Sequence, residues 1–488
     1  MKEISIKKNY IYSTLYEVLS IITPLITAPY TSRIFGAEGV GIQSYTNSIV
    51  SYFTLFAALG VESYGQREIA RHRDNPEASS KIFWEILFLT LGTTSVCLVG
   101  WLILILCSGQ YTAYYAVLTI TLVAVPFDIS WFFGGYEQFR YIVLRNTFFR
   151  LAGIVVLFIF VRKPSDLLLY MALLAATGLV GNLSMWPYLP QFLVKIDFRT
   201  LNIRRHIKET FIYFVPTIAT SVYTVLDKTM IGILTGNEAE NGYYEQATKV
   251  INIAKSMIFS LNTVMSARMS YLFAQEKMGE MKEKLDQSFG FLMLLGIPMT
   301  FGIIGVSANF VPWFFGAGYD RTIILLCILS PLIVIISISN CLGAQYFIPT
   351  GQRIRSMKGI LCGSAINFVC NLCMIPVWGA IGAAVASVLA EMAISAIYVH
   401  MSREFSGWGM IWKNSWKKLI AGLFMLLAVF AIGWGHTGDV WITVLQIFVG
   451  AGVYFLSIIY LKDKQMMAIL NSGKVSIIVE KLKGNIRK

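Results

Sequence analysis

From residue 10 to residue 461 the chain keeps returning to apolar stretches. Each is long enough to cross about 30 Å of hydrocarbon as a helix rising about 1.5 Å per residue. They fall near 10–34, 40–61, 82–107, 112–134, 146–161, 167–190, 209–235, 246–267, 288–315, 322–348, 358–376, 379–401, 417–434 and 440–461. No polar linker of the kind that separates soluble domains interrupts them. A bilayer core offers no water to a backbone, so each stretch must close its own hydrogen bonds as a helix. The expectation is an all-α integral membrane fold of fourteen transmembrane helices. Composition agrees: 56% of the 488 residues are hydrophobic and 14% charged, where soluble domains carry roughly 25% charged residues.

Lys and Arg test this map, because they gather in cytoplasmic loops. With both termini cytoplasmic, 33 of the 40 fall in the terminal segments and the inside loops. The outside loops hold Arg33, Arg162, Lys163 and Arg321, and three lysines lie within helices. The formal net charge of +13 is therefore the asymmetry of a membrane protein, and no nucleic-acid partner is implied. The basic tail VSIIVEKLKGNIRK is suited to an anionic inner leaflet or to solvent. The first apolar segment carries Glu17 and lacks a small-residue cleavage site, so it does not read as a cleavable signal.

Several chemistries are excluded. The seven cysteines lie in or at the ends of apolar helices and imply no disulfide framework. Cys370 and Cys373 form a C-x-x-C inside a helix, which reads as buried small side chains. GVESYGQRE has the glycines of a phosphate loop at Gly60 and Gly65 but Gln66 where the lysine belongs. The four histidines show no ligand-like spacing, so neither a metal nor another cofactor is expected. The longest outside loop, near LTGNEAENGYY, is far below domain size, and no D-x-D is present. A chain of little but spanning helices reads as a transporter or channel before an enzyme.

Internal symmetry points to where function sits. GAEGVG and GNEAENG place Gly36, Glu38 and Gly41 against Gly236, Glu238 and Gly242, one inserted position aside. Two parallel six-helix repeats follow: an N-terminal lobe over 1–200 and a second over 201–405, with two further helices and a basic tail over 406–488. Prolines 24, 29 and 216 are expected to break the first helix of each repeat. At about 100° per residue, Thr217, Ser221, Thr224 and Lys228 share one stripe of helix seven, with Asp227 on its flank. Helix eight carries Glu245, Lys249, Asn252 and Lys255; helix two carries Ser44, Ser48 and Ser51; helix one carries Glu17, Ser20 and Thr27. Such a polar seam is costly against lipid, so it is expected to face a hydrated cleft.

At TSRIFGAEGVGIQSY, DISWFFGGYEQFRYIVLRN, LDKTMIG with NGYYEQATKV, and GAQYFIPTG with NFVCNLCMIPVWGAIGAAVASVLAE, the chain resembles polysaccharide-repeat-unit flippases. These form the Wzx type of the multidrug/oligosaccharidyl-lipid/polysaccharide exporter superfamily. The resemblance covers about the first four hundred residues. It implies two six-helix bundles that move an undecaprenyl-pyrophosphate-linked oligosaccharide across a bacterial plasma membrane by alternating access, for capsule, exopolysaccharide or O-antigen. The implied partners are that substrate, membrane lipids, a proton or sodium counter-ion and a polysaccharide polymerase. A hydrated, cationic cavity suits the pyrophosphate, with Arg33, Lys228, Lys249 and Lys255 as its cations. Lys249 is also placed to pair with Glu245, one helical turn away. Asp128, Glu137, Asp227 and Glu391 are gating, coupling or structural charges. Asp128 is expected to tie to a loop arginine such as Arg140, and Asp227 to bond a neighbour. Two rivals remain: a flippase for lipid-linked peptidoglycan precursors of the lipid II type, and a cation-coupled multidrug exporter of the same fold. An integral scaffold would leave the charged seam unexplained.

Overall fold

The computed structural model describes residues 6–471, with all side chains in that span except those at 6–15, 17, 216, 217, 219–224, 260, 261, 263, 264 and 471. Every regular element among the described residues is helical. The first eight α-helices are α1 Ile6–Ala58, α2 Val61–His72, α3 Pro76–Cys107, α4 Thr112–Val123, α5 Ser130–Gly135, α6 Phe139–Phe160, α7 Leu167–Leu183 and α8 Arg204–Thr235. Then come α9 Glu238–Ala274, α10 Met278–Phe315, α11 Asp320–Leu329, α12 Leu332–Leu342, α13 Arg353–Trp378 and α14 Ala380–Met401. The last are α15 Trp408–Gly433, α16 Val440–Tyr460 and α17 Lys464–Asn471. Among the described residues, eleven helical stretches are long and apolar enough to cross a membrane. The chain is a multi-pass membrane protein.

Local sequence explains many of the boundaries. Asn75 caps α3 by accepting from the Ala78 amide at 3.0 Å, with Pro76 at the first helical position. Asp439 caps α16 through the amides of Trp441 and Ile442. The expected break at Pro24 and Pro29 falls elsewhere. α1 stays helical through both prolines, and its one non-helical residue is Gly36, at φ 64° and ψ −177°. Glycine alone reaches that conformation without steric cost. Gly236 likewise ends α8 at φ 60°.

Three further expectations are revised. The presumed loop before helix eight is mostly helix, since α9 begins at Glu238 rather than near 246. Lys255 then lies about 25 Å along α9, midway in its 37 residues. Helix four is divided: α4 stops at Val123, and a short turn at Val125–Phe127 leads to α5. Arg145 and Arg150, assigned to an inside loop, lie within α6.

Contacts divide the chain into two compact units, Met1–Glu245 and Gln246–Lys488. The lobes expected from the repeat rest on sequence symmetry, and this division rests on contacts, which group α8 and the start of α9 with the first helices. In the first unit, Val61, Tyr64 and Ile69 of α2 pack with Phe83 and with Trp131 and Phe132 of α5. Glycines permit that approach: a Cβ on Gly65 would lie 2.5 Å from the Trp131 ring, and one on Gly135 2.6 Å from Ile69 Cβ. A second core joins Phe35, Trp101, Tyr115, Leu122 and Leu157. In the second unit α10 packs with α15 and α16, where Ala421, Met425, Val429 and Tyr454 are buried. The Tyr454 hydroxyl donates to the Leu294 carbonyl at 3.1 Å. Lys418, fully buried, pairs with Asp463 at 2.8 Å.

Candidate functional site

The pair Asp227–Lys228 sits in α8 one helical residue apart, about 100° around the axis, and the two side chains take different partners. Tyr244 donates its hydroxyl to Asp227 Oδ2. Lys228 Nζ lies 2.6 Å from Glu245 Oε2, and Ser44 of α1 donates to the same carboxylate oxygen at 2.9 Å. Glu245 thus pairs with Lys228, because α1 and α8 present their polar stripes to the start of α9. The seam continues where Ser48 and Thr229 hydroxyls meet at 2.8 Å and Thr229 donates to Tyr52 at 3.3 Å.

The start of α9 interlocks with α1 beside this network. A Cβ on Gly41 would lie 1.7 Å from the Glu238 carbonyl oxygen, and one on Gly242 1.9 Å from that of Ala37. The backbones touch there, and only glycine fits. Tyr111 donates to the Glu238 carboxylate at 2.8 Å.

A cavity of about 730 Å³ opens in the first unit, within the range of small-molecule sites. Its polar walls include Gln43, Asn47, Ser51, Glu62, Asp128 and Asn182. Ser51 was expected at such a site, and Asp128 as a gating, coupling or structural charge. Gln43, Asn47, Glu62 and Asn182 were not, although Gln43 and Asn47 follow the helical stripe of Ser44, Ser48 and Ser51. Asp128 accepts from the Ser130 amide and hydroxyl and pairs with Arg145 at 3.4 Å, not with Arg140. The turn between α4 and α5 directs it toward α6. Glu137, expected as a gating or structural charge, is exposed at φ 59° and pairs with Arg73 at 2.9 Å.

The remaining expected residues fall in both units. Arg33 and Asn252 are exposed. In the second unit, Glu391 of α14 is buried, and its charge acts on Lys255 of α9. The side chains of Glu17 and Thr224 lie outside the described residues. Absent from the sequence reading is a buried amide chain: Gln345 donates to Asn262 and Asn262 to Asn340, both at 2.7 Å. Gln345 sits in a π-turn, Gly343–Phe347, a distortion frequent at functional sites.

At the start of α8, His206 touches Glu85 at 2.7 Å and Tyr64 at 2.6 Å, and Arg205 also binds Glu85. Burial pushes the His206 imidazole below its ordinary value, against the pull of Glu85.

A profile of polysaccharide biosynthesis proteins matches residues 6–273. The chain belongs to that family. As a polysaccharide biosynthesis protein it is 22% identical over 407 residues to a protein named as an O-antigen transporter in Escherichia coli K12, covering 82% of this chain and 98% of that one. A protein named as a flippase of low-salt glycan biosynthesis in Haloferax volcanii is 23% identical over 183 residues, 38% of each chain. Among solved structures, the lipid II flippase MurJ in an inward closed conformation superposes with a TM-score of 0.70 at 16% identity, over 93% of this chain and 99% of that one. An inward-facing multidrug transporter of the MATE family gives 0.64 at 14%, over 78% and 94%. These likenesses establish the fold that the family shares with both.

Proposed function

We propose that this polysaccharide biosynthesis protein is a flippase for lipid-linked oligosaccharide repeat units. It moves an undecaprenyl-pyrophosphate-borne sugar across the plasma membrane of a bacterium by alternating access. The observation that carries this reading is the family match together with near full-length similarity to an O-antigen transporter. The polar-walled cavity of about 730 Å³ supplies the hydrated space a sugar headgroup needs while its polyprenyl tail stays in lipid.

In this reading the helices make fourteen crossings with both termini cytoplasmic. The stretch Val18–His72 then supplies two of them, divided at Gly36, and α8 and α9 supply two more. Residues 1–200 and 201–405 act as the two moving lobes, followed by 406–488. Arg33, Lys228, Lys249 and Lys255 provide the positive field for pyrophosphate, with Ser48, Ser51, Thr224, Asn252 and Glu17 along the seam. Asp128, Glu137, Asp227 and Glu391 hold or couple the helices, with a proton or sodium gradient as the drive. A second reading, export of a peptidoglycan precursor, is favoured by the extent of the MurJ likeness.

Deleting the gene and analysing lipid-linked sugars separates the two. Undecaprenyl-linked repeat units should accumulate on the cytoplasmic side while cell-wall synthesis continues. Accumulation of lipid-linked peptidoglycan precursor with arrested wall synthesis would select the second reading instead.

A further inference from the structure

Arg150 is an unusual residue for its position. It lies eleven residues after Phe139, about 16 Å into α6 and halfway along this 22-residue span. Neighbouring side chains on the same helix, Leu144, Phe148, Leu151 and Val155, are exposed and apolar, as a lipid-facing surface requires. A guanidinium at that depth is expensive unless something neutralises or solvates it. Among the described residues no carboxylate lies within ion-pair distance of Arg150. Its guanidinium rests over the Tyr16 ring at 5.2 Å, and its Nη1 is buried without a hydrogen-bond partner.

That group lines a recess of about 430 Å³ bounded by α1, α6 and α7. Arg145, on the same wall, is fixed in place: Asn146 Oδ1 accepts from its Nε and Nη2 at 2.9 and 2.7 Å. Asn182 and Asp128 approach its Nη1 at 3.3 and 3.4 Å. Among the described residues, two guanidinium groups therefore face a single carboxylate, and the Asn146 amide nitrogen adds a neutral donor. Thr23, Thr27 and Thr177 also line the recess, but their hydroxyls donate to carbonyls of their own helices. The arginines are thus its principal anion donors. Space has been left for an occupant, since a Cβ on Gly153 or Gly178 would meet nothing within 4 Å. Leu174, Gly178 and Asn182 line both this recess and the 730 Å³ cavity, so the two adjoin.

We infer that the recess between α1, α6 and α7 binds the phosphate or diphosphate group of a membrane lipid, with Arg150 as the ligand-seeking cation and Arg145 as its positioned neighbour. Planar guanidinium groups match phosphate oxygens, and burial strengthens the pairing. The apolar, exposed faces beside the recess point to a lipid-borne anion rather than a soluble one. Either a resident anionic phospholipid or a polyprenyl diphosphate presents this chemistry. The inference does not depend on which sugar, if any, is carried.

The test uses the full-length protein in nanodiscs of phosphatidylcholine, titrated separately with phosphatidylglycerol, undecaprenyl diphosphate and inorganic pyrophosphate. Retained lipid is read by native mass spectrometry and stabilisation by thermal melting. Wild-type protein should bind at least one of the two lipids, and Arg150→Gln should weaken that binding about tenfold or more. Gly153→Leu keeps both arginines and fills the recess, and it should weaken binding similarly without loss of folded protein. Phosphatidylglycerol alone would identify a resident lipid; tighter binding of undecaprenyl diphosphate would identify cargo. Gly92, which does not line the recess and whose Cβ would meet nothing within 4 Å, supplies a control: Gly92→Ala should leave binding unchanged. The inference fails if wild type binds neither lipid, binds only inorganic pyrophosphate, or binds both lipids as tightly after Arg150→Gln and Gly153→Leu. It also fails if Gly92→Ala abolishes binding as Arg150→Gln does, because the loss then reports a general disturbance of the protein rather than the recess. The readout is lipid binding rather than export, so failure here leaves the export reading standing.

Discussion

Replacing Gly41 by alanine adds one methyl group to a helix in which alanine is normally the better residue. The structure reverses that preference. The new Cβ would sit 1.7 Å from the Glu238 carbonyl oxygen and 3.0 Å from the Gly242 nitrogen, where non-bonded heavy atoms prefer about 3.5 Å. The obstruction is backbone, so no rotamer relieves it, and the first turn of α9 must retreat by roughly 1.5–2 Å. Overpacking of this kind costs about 1–3 kcal/mol. The retreat also strains the Tyr111–Glu238 and Ser44–Glu245 hydrogen bonds, worth about 1 kcal/mol each, so the expected loss is about 2–4 kcal/mol. Gly92 is the internal control: it is helical, and a Cβ there meets nothing within 4 Å, so Gly92→Ala should gain about 0.5–1 kcal/mol. Gly242→Ala should match Gly41→Ala, and the double variant should lose little more, because one displacement relieves both clashes. Melting of purified, detergent-solubilised protein, followed by tryptophan fluorescence, reads all four. A Gly41→Ala protein melting at or above the wild-type temperature would refute the contact.

Lys228→Met should destabilise the protein by about 1–3 kcal/mol, below the ~3–5 of a fully buried pair, because its side chain is 28% and that of Glu245 16% exposed. Adding Glu245→Gln should recover part of that loss in the same melting assay, and no recovery would mean the pair is not coupled. Because burial depresses the His206 pKa, protonation favours the unfolded chain. The melting temperature should be level above about pH 7 and fall as pH drops through ~6.5 toward the folded value, with His206→Gln flattening the decline. For topology, all seven native cysteines are unpaired and must first be replaced. Single cysteines at Asn237 and His436 should then react with an impermeant reagent in intact cells, and those at Arg199 and Glu280 should not; the opposite pattern would invert the expected orientation.

The helices were legible because apolar length and positive-charge bias are properties of single segments. Most of the long helices lie where hydropathy placed them, and the Gly36 and Gly236 turns follow from a short repeat. Partner choice was not legible. Nothing in the sequence joins Lys228 to Glu245, because the two are brought close only by α8 packing beside α9. Asp128 found Arg145 rather than Arg140 for the same reason: the break after Val123 turns its side chain toward α6. Arg150 was misassigned because charge statistics count arginines near span ends and have no means of recognising one held in mid-helix. The buried chain Gln345–Asn262–Asn340 joins residues far apart in sequence, which no periodicity reveals.

The bonds made by Asp227 and Lys228 behave as a vernier. Adjacent residues on α8 engage adjacent residues on α9, Tyr244 and Glu245, so a single axial setting satisfies both. Sliding α9 by one turn would bring residues four places away into those positions. In one direction Asp227 would confront Glu240, and in the other Lys228 would confront Lys249. Either slip sets like charges against each other. The charge order along NGYYEQATK leaves the two helices one register in which to meet.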